Sequence, residues 1–196
     1  MHEASETVIR LIRADEFEAV GALTVDAYAS AYQIELSDDY LADLARVAER
    51  AALHEVWVAV DGATGELLGT VTTPRPGERL SEFAAAGDMD FRMLAVAQSA
   101  RGRGIGRLLV AHCQALAEDR GASRLVLHTG SDMHLAVALY ESLGFERLVE
   151  IEENFPYPPG VWYPVRVYGK DLCCRGLGGA GSDAGAESLQ HTREET

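Results

Sequence analysis

The chain has 196 residues, 47% of them hydrophobic, a size and composition suited to one domain around one core. Its 31 acidic against 17 basic residues leave a formal net charge of −14, which argues against non-specific binding to nucleic acid or anionic membranes and weakly favours cationic substrates. The first ten residues, MHEASETVIR, are acidic where a signal peptide needs a basic start, and ~18 consecutive apolar residues occur nowhere, so a cytoplasmic protein is expected.

Val8 to Arg13 alternates like a strand, and Asp15 with Glu16 opens an amphipathic helix running towards Ala29. After a loop from Tyr28 to Leu36, Ser37 is placed to cap a second helix, whose apolar stripe of Leu41, Leu44, Ala45, Val47 and Ala48 ends near Ala52. Glu55 to Val60 and Leu67 to Thr73 read as a hairpin joined through Asp61-Gly62-Ala63-Thr64-Gly65, and Pro74, Pro76 and Gly77 stop its second strand. A fourth strand, Asp90 to Ala97, leads into a glycine-rich loop and a helix from Gly104 to about Arg120, closed by Gly121. Ser123 to Thr129 is the next strand, and a helix from about Met133 to Leu143 ends at Gly144. Phe145 to Glu150 then starts a last hairpin that returns as Val161 to Leu172. From Cys173 onward Gly, Ser, Ala and Glu dominate, so a folded unit over 1–172 and a disordered tail over 173–196 are expected.

Cys113, Cys173 and Cys174 have neither metal-ligand spacing nor a disulfide framework, so reduced thiols are expected, with Cys113 buried at helical spacing from Ile105, Leu109 and Leu116. His54, His112, His128 and His134 lack metal-ligand spacing, which favours packing or surface roles; no metal is implied.

The most informative stretch is Phe91 to Leu109, FRMLAVAQSARGRGIGRLL, where an apolar strand meets a helix through Arg101, Gly102, Arg103, Gly104 and Gly106. Glycines let backbone approach phosphate oxygens, the first N–H groups of a helix point at an anion, and arginines add charged donors. A dinucleotide fingerprint fails on spacing, since Arg107 or Leu109 stands where its third glycine belongs. A P-loop fails because the one lysine, Lys170, is far from any such turn.

Arg101-Gly102-Arg103-Gly104-Ile105-Gly106 resembles the acetyl-CoA signature of the GNAT superfamily of N-acetyltransferases, Gln/Arg-x-x-Gly-x-Gly/Ala after a strand. Ala136-Val137-Ala138-Leu139-Tyr140-Glu141-Ser142-Leu143-Gly144-Phe145 resembles that family's A-x-x-L-Y-x-x-L-G-F helix and turn, in the expected order. The resemblance covers roughly the first 172 residues, the N-terminal third only in its order of elements. It implies an α/β (α+β) fold: a mixed, mostly antiparallel twisted sheet of about six or seven strands flanked by about four helices.

The resemblance also implies direct attack of an amine on the thioester carbonyl of acetyl-CoA, without an acyl-enzyme. The strand before the loop would splay at a bulge, freeing backbone groups at Leu94, Ala95 and Val96 for the pantetheine arm and acyl oxygen, and Arg101 to Arg107, Ile105 among them, would hold the pyrophosphate. Tyr140 would protonate the leaving thiolate; its alternative role is core packing between Leu139 and Leu143. At Met133 many relatives carry an Asn that bonds the pantetheine, so one contact is altered here. The general base is open among Glu35, Glu82, Asp88, Asp90 and water. Acceptor choice falls to Tyr28–Leu36, Pro74–Gly87 and Glu150–Gly160, where acids mixed with aromatics suit a cationic amine or form an ordinary surface loop. The acceptor is then a small molecule or a peptide amine. Nucleic acid, a membrane and a metal are not implied, and a homodimer, common among relatives, is not legible in the chain. The rival reading from another class is a non-catalytic acyl-CoA-binding or regulatory module on the same fold.

Overall fold

A computed structural model describes residues 6–32, 35–152, 154–156 and 162–172. The segment expected to be a disordered tail, 173–196, lies outside the described residues. Two sheets carry the fold, one of four strands and one of five.

The first sheet has the order β1 (Thr7–Leu11), β2 (Glu55–Asp61), β3 (Leu67–Thr73), β5 (Arg92–Val96), all antiparallel. Residues on β2 alternate between two apolar clusters, as the period of a strand requires. Val56, Val58 and Val60 pack with Val20 of α1 (Phe17–Ala31) and Val47 of α3 (Val47–Leu53). Ala59 and the half-buried Trp57 join the opposite cluster, centred on Ile105, Leu109 and Cys113 of α4 (Ile105–Asp119). Helices on both faces leave β2 and β3 little polar surface, hence their runs of Val, Ala, Leu and Thr. Cys113 is fully buried and its thiol is pushed up by that burial, which gives it the packing role expected from its spacing.

The second sheet holds β4 (Asp88–Asp90), β6 (Arg124–Gly130), β9 (Trp162–Asp171) and β7 (Glu146–Arg147), with β8 (Asn154–Pro156) also on β9. Only β4 and β6 run parallel. Between β6 and β7 lies α5 (His134–Ser142), ended by Gly144 at φ +80° with Phe145 N–H bonded to Tyr140 O at 3.1 Å. Among the described residues no helix is long and apolar enough to cross a membrane.

Three expected elements differ. The strand over Asp90–Ala97 is divided: β4 belongs to the second sheet and β5 to the first, and Phe91 between them donates its N–H to Val126 O at 3.2 Å. The helix over Ser37–Ala52 breaks at Arg46 (ψ +57°) into α2 (Asp38–Ala45) and α3. There the Ala45 backbone rests on Gly21 of α1, where a Cβ would stand 2.9 Å from Ala45 O, and Arg50 Nη1 donates to Leu44 O at 3.3 Å in place of the lost helical bond. The strand expected over Phe145–Glu150 keeps only two paired residues before a 3₁₀ turn over Val149–Ile151, which frees Glu152 to accept from Arg147 Nε at 2.6 Å.

Candidate active site

The glycine loop has the local chemistry its sequence demands. Gly102 and Gly104 sit at φ +76° and +81°, a region that L side chains rarely adopt, and Gly104 caps α4 without a side-chain bond. The first bond within α4 is from Leu108 N–H to Gly104 O at 3.0 Å, so the N–H groups of Ile105, Gly106 and Arg107 have no acceptor in the helix. Gly106 has a different reason to be glycine, because a Cβ there would lie 3.1 Å from Leu139 Cδ2 of α5. Ile105 is buried beneath the loop. The arginines reach outward to three neighbours: Arg101 Nη2 donates to Ser30 Oγ at 2.6 Å, Arg103 Nη2 stands 3.8 Å from Asp61 Oδ2, and Arg107 Nη2 donates to Ser142 Oγ at 3.1 Å. Three guanidiniums thus flank the N-terminus of α4.

Beside this loop the two sheets part. Thr70 faces Ala95 while Thr72 faces Arg92, so β5 holds one residue more than β3 between those pairs. The extra residue sits where Met93 takes φ +53°, the one positive φ among the described non-glycine residues. The Ala97 N–H bonds back to Leu68 O at 2.9 Å. By the alternation of antiparallel pairing, Ala95 therefore turns its polar backbone to β3, and Val96 turns its own away, into the gap facing β6.

That gap is a cavity of about 250 Å³. Arg92, Met93 and Leu94 of β5 form one wall and Leu127 to Gly130 of β6 the other. Met133, Ala136 and Tyr140 of α5 close one side, and Tyr28, Tyr32 and Tyr40 of α1, α2 and their connection close the mouth. Tyr140 is 5% exposed, wedged edge-on against Phe91 and Phe145 at centroid distances of 6.0 and 5.9 Å. Burial raises its phenol well above the ordinary value, and its hydroxyl makes no hydrogen bond with a described residue. The tyrosine is thus both a core residue and a proton-bearing group facing the cavity. Met133 lines the same wall, accepting from Thr129 Oγ1 at its sulfur over 3.4 Å.

The glycine-headed N-terminus of α4 packs through Gly106 on Leu139 of α5, beside the cavity that the splayed strand β5 and the buried Tyr140 line. A family model described as the acetyltransferase (GNAT) family matches residues 17–145. The chain belongs to the acetyltransferase (GNAT) family. It is similar to a mycothiol acetyltransferase of Cellulomonas flavigena, 32% identical over 143 residues, and that match covers 69% of this chain but only 40% of the relative's length. The fold resembles that of a putative acetyltransferase from Salmonella typhimurium solved with its cofactor acetyl-CoA, at TM-score 0.60 and 19% identity over 90% of this chain and 100% of that one. It also resembles a spermidine N-acetyltransferase from Vibrio cholerae in complex with CoA and spermine, at TM-score 0.60 and 20% identity, covering 84% and 95%.

Within this GNAT cleft, no Asp or Glu appears among the described lining residues. Asp90 is buried and accepts from Leu80 N–H and Ser81 Oγ, both at 2.8 Å; Asp88 pairs with Arg124 at 2.8 Å; Glu35 and Glu82 are exposed and are not among the lining residues. Glu152 holds Arg147, while Glu153 and Tyr157 lie outside the described residues. Two lining groups had no distinguishing signal in the sequence. Arg92 stands on a strand, half-buried. His128 lies edge-on to Phe83 at 4.9 Å, its imidazole lowered to about 3 by burial and by Arg92. The Tyr28–Leu36 segment expected to choose the acceptor does line the cavity, its first residues being the last turn of α1, and Tyr28 and Tyr32 join Tyr40 in a trio with ring centroids 6.2 to 6.5 Å apart.

Proposed function

We propose that the chain is an acetyl-CoA-dependent N-acetyltransferase that passes the acetyl group directly to an amine in a ternary complex. The observation that carries this reading is an adjacency: the unpaired N–H groups at the start of α4 lie against Val96 of β5 and Leu139 of α5, the two elements that line the Tyr140 cavity, and the Tyr140 hydroxyl has no partner among the described residues. Bound acetyl-CoA supplies the acetyl group as an activated thioester.

The protein does the rest. N–H groups of Ile105, Gly106 and Arg107, with the guanidiniums of Arg101, Arg103 and Arg107, hold the pyrophosphate. Backbone groups of Leu94 and Val96 along the open edge of β5 orient the arm and polarise the acyl carbonyl, and Ala95 anchors that edge to β3. Tyr140, kept protonated by burial, gives its proton to the departing sulfur as the C–S bond breaks. The amine proton leaves to water at the tyrosine-lined mouth, since the described lining offers no carboxylate to receive it. Met133 in place of an amide at the head of α5 gives the arm a thioether neighbour and removes one hydrogen bond.

Calorimetric titration with acetyl-CoA and CoA, with NAD as control, tests the reading. Binding shared by both coenzymes and absent for NAD supports it; no coenzyme binding overturns it. The rival reading, a non-catalytic acyl-CoA module, requires coenzyme binding without turnover across a broad amine panel.

A further inference from the structure

At the acceptor end of the cavity the charge runs against that of the whole chain. The protein carries −14 overall, yet the charged side chain in the described lining is Arg92. Arg92 makes no hydrogen bond or ion pair with any described residue. It lies between two hollows: the main cavity and a shallower one that it shares with Arg50, Arg46, Asp43 and Glu49. Arg50 is also incompletely satisfied. Its two Nη atoms reach Leu44 O at 3.3 and 3.4 Å, and its Nε is buried without a partner. Of the acids in the second hollow, Asp43 stands 3.8 Å from Arg46 and supports the charge on Arg50, but neither Asp43 nor Glu49 comes within ion-pair distance of Arg92.

Both guanidiniums act on Tyr28 from across the cavity mouth, and Arg92 acts on His128 from the opposite wall. Arg92 and Arg50 oppose one another's charge; Asp43 offsets part of this at Arg50, and no ion pair with a described residue offsets it at Arg92. Such an arrangement is relieved by an anion, and Arg92 offers the planar fork that binds a carboxylate by two parallel N–H bonds.

The geometry points to a carboxylate subsite formed by Arg92 with Arg50 behind it, so that the acceptor is an amine bearing a carboxylate, of amino-acid type, with its side chain against the tyrosine wall. This rests on the transferase reading and narrows its acceptor. It reverses the preference for a cationic amine expected from the overall charge and from the acids of Glu150–Gly160, because the local field at Arg92 governs the site while net charge acts at long range through screening solvent.

The test uses matched amines with and without the carboxylate: L-phenylalanine with 2-phenylethylamine, L-leucine with isoamylamine, and spermidine as a polyamine. With acetyl-CoA saturating, kcat/KM is expected to favour the carboxylate member of a pair by roughly 10–100-fold, the worth of a charge-assisted bidentate contact. In Arg92→Gln that ratio should collapse towards one, and Arg92→Lys should restore part of it. Because Arg92 has no internal partner and faces Arg50, Arg92→Gln should unfold at the same urea concentration as the parent or a higher one. A merely structural arginine would lower it. Equal rates within both pairs, or a preference for spermidine, would overturn the subsite.

Binding decides the matter where no amine turns over. N-acetyl-L-phenylalanine should bind the CoA-loaded protein at least tenfold more tightly than N-acetyl-2-phenylethylamine. Equal binding sinks the subsite, whereas failure to bind CoA at all sinks the transferase reading instead.

Discussion

Gly69 and Ala95 approach so closely across the first sheet that a Cβ on Gly69 would stand 2.8 Å from the Ala95 carbonyl oxygen and 3.1 Å from side-chain carbons of both Ile105 and Leu109. The missing side chain lets α4 lie on β3 where β3 pairs with the end of β5. β3, β5 and the helix after the glycine-rich loop therefore meet at one contact.

Gly69→Ala should overpack this contact and destabilise the protein by about 1–3 kcal/mol. The urea midpoint should fall with the slope unchanged. A midpoint equal to that of the parent would mean the sheet yields freely there, contrary to the close packing described.

Tyr140→Phe should lower kcat by about 10²-fold while the Kd for CoA stays within about twofold, because the hydroxyl faces the cavity and binds no described residue. The aromatic contacts with Phe91 and Phe145 survive in the variant, so its thermal midpoint should barely move. Equal losses in affinity and turnover would place Tyr140 in binding rather than proton transfer.

Gly104→Glu brings a carboxylate to the start of α4 and also strains a position at φ +81°. The Kd for CoA should rise by more than about tenfold. Gly104→Ala, which shares the strain without the charge, separates the two causes by showing a smaller rise. Unchanged CoA binding in Gly104→Glu would move the pyrophosphate elsewhere.

Acid should weaken the fold partly through His128. Burial first, then Arg92, lowers its folded pKa to about 3, while the unfolded chain takes up the proton near the ordinary 6.5. Between those values the unfolded state holds one proton more, so the stabilisation is complete above about pH 6.5 and is lost as pH falls towards 3. The limiting slope is about 1.4 kcal/mol per pH unit. His128→Gln should flatten the fall of urea midpoints measured from pH 7 to pH 4, and parallel curves for the two proteins would show that His128 titrates normally.

Local demands and periodicity were legible in the chain itself. Gly102, Gly104, Gly121 and Gly144 all adopt positive φ, as loop and helix-end glycines are placed to do, and Ile105, Leu109 and Cys113 are buried at the helical spacing that proposed it. The ordered pair of motifs carried the family. What it could not show was where a strand changes partners. Met93 takes a positive φ that its residue type disfavours, so nothing local announces the bulge; it is maintained by β4 pairing with β6 while β5 pairs with β3.

Sequence alone therefore determined the glycine-rich loop, the helix bearing Tyr140 and the order of elements, since each depends on residues within one or two turns of each other. Tertiary structure decided the acceptor end. Arg92, His128, Tyr28 and Tyr140 come from four different elements, and only the parting of two sheets sets them around one cavity. The charge that matters there is a local one, and net composition, which sums over the whole surface, pointed to the opposite sign.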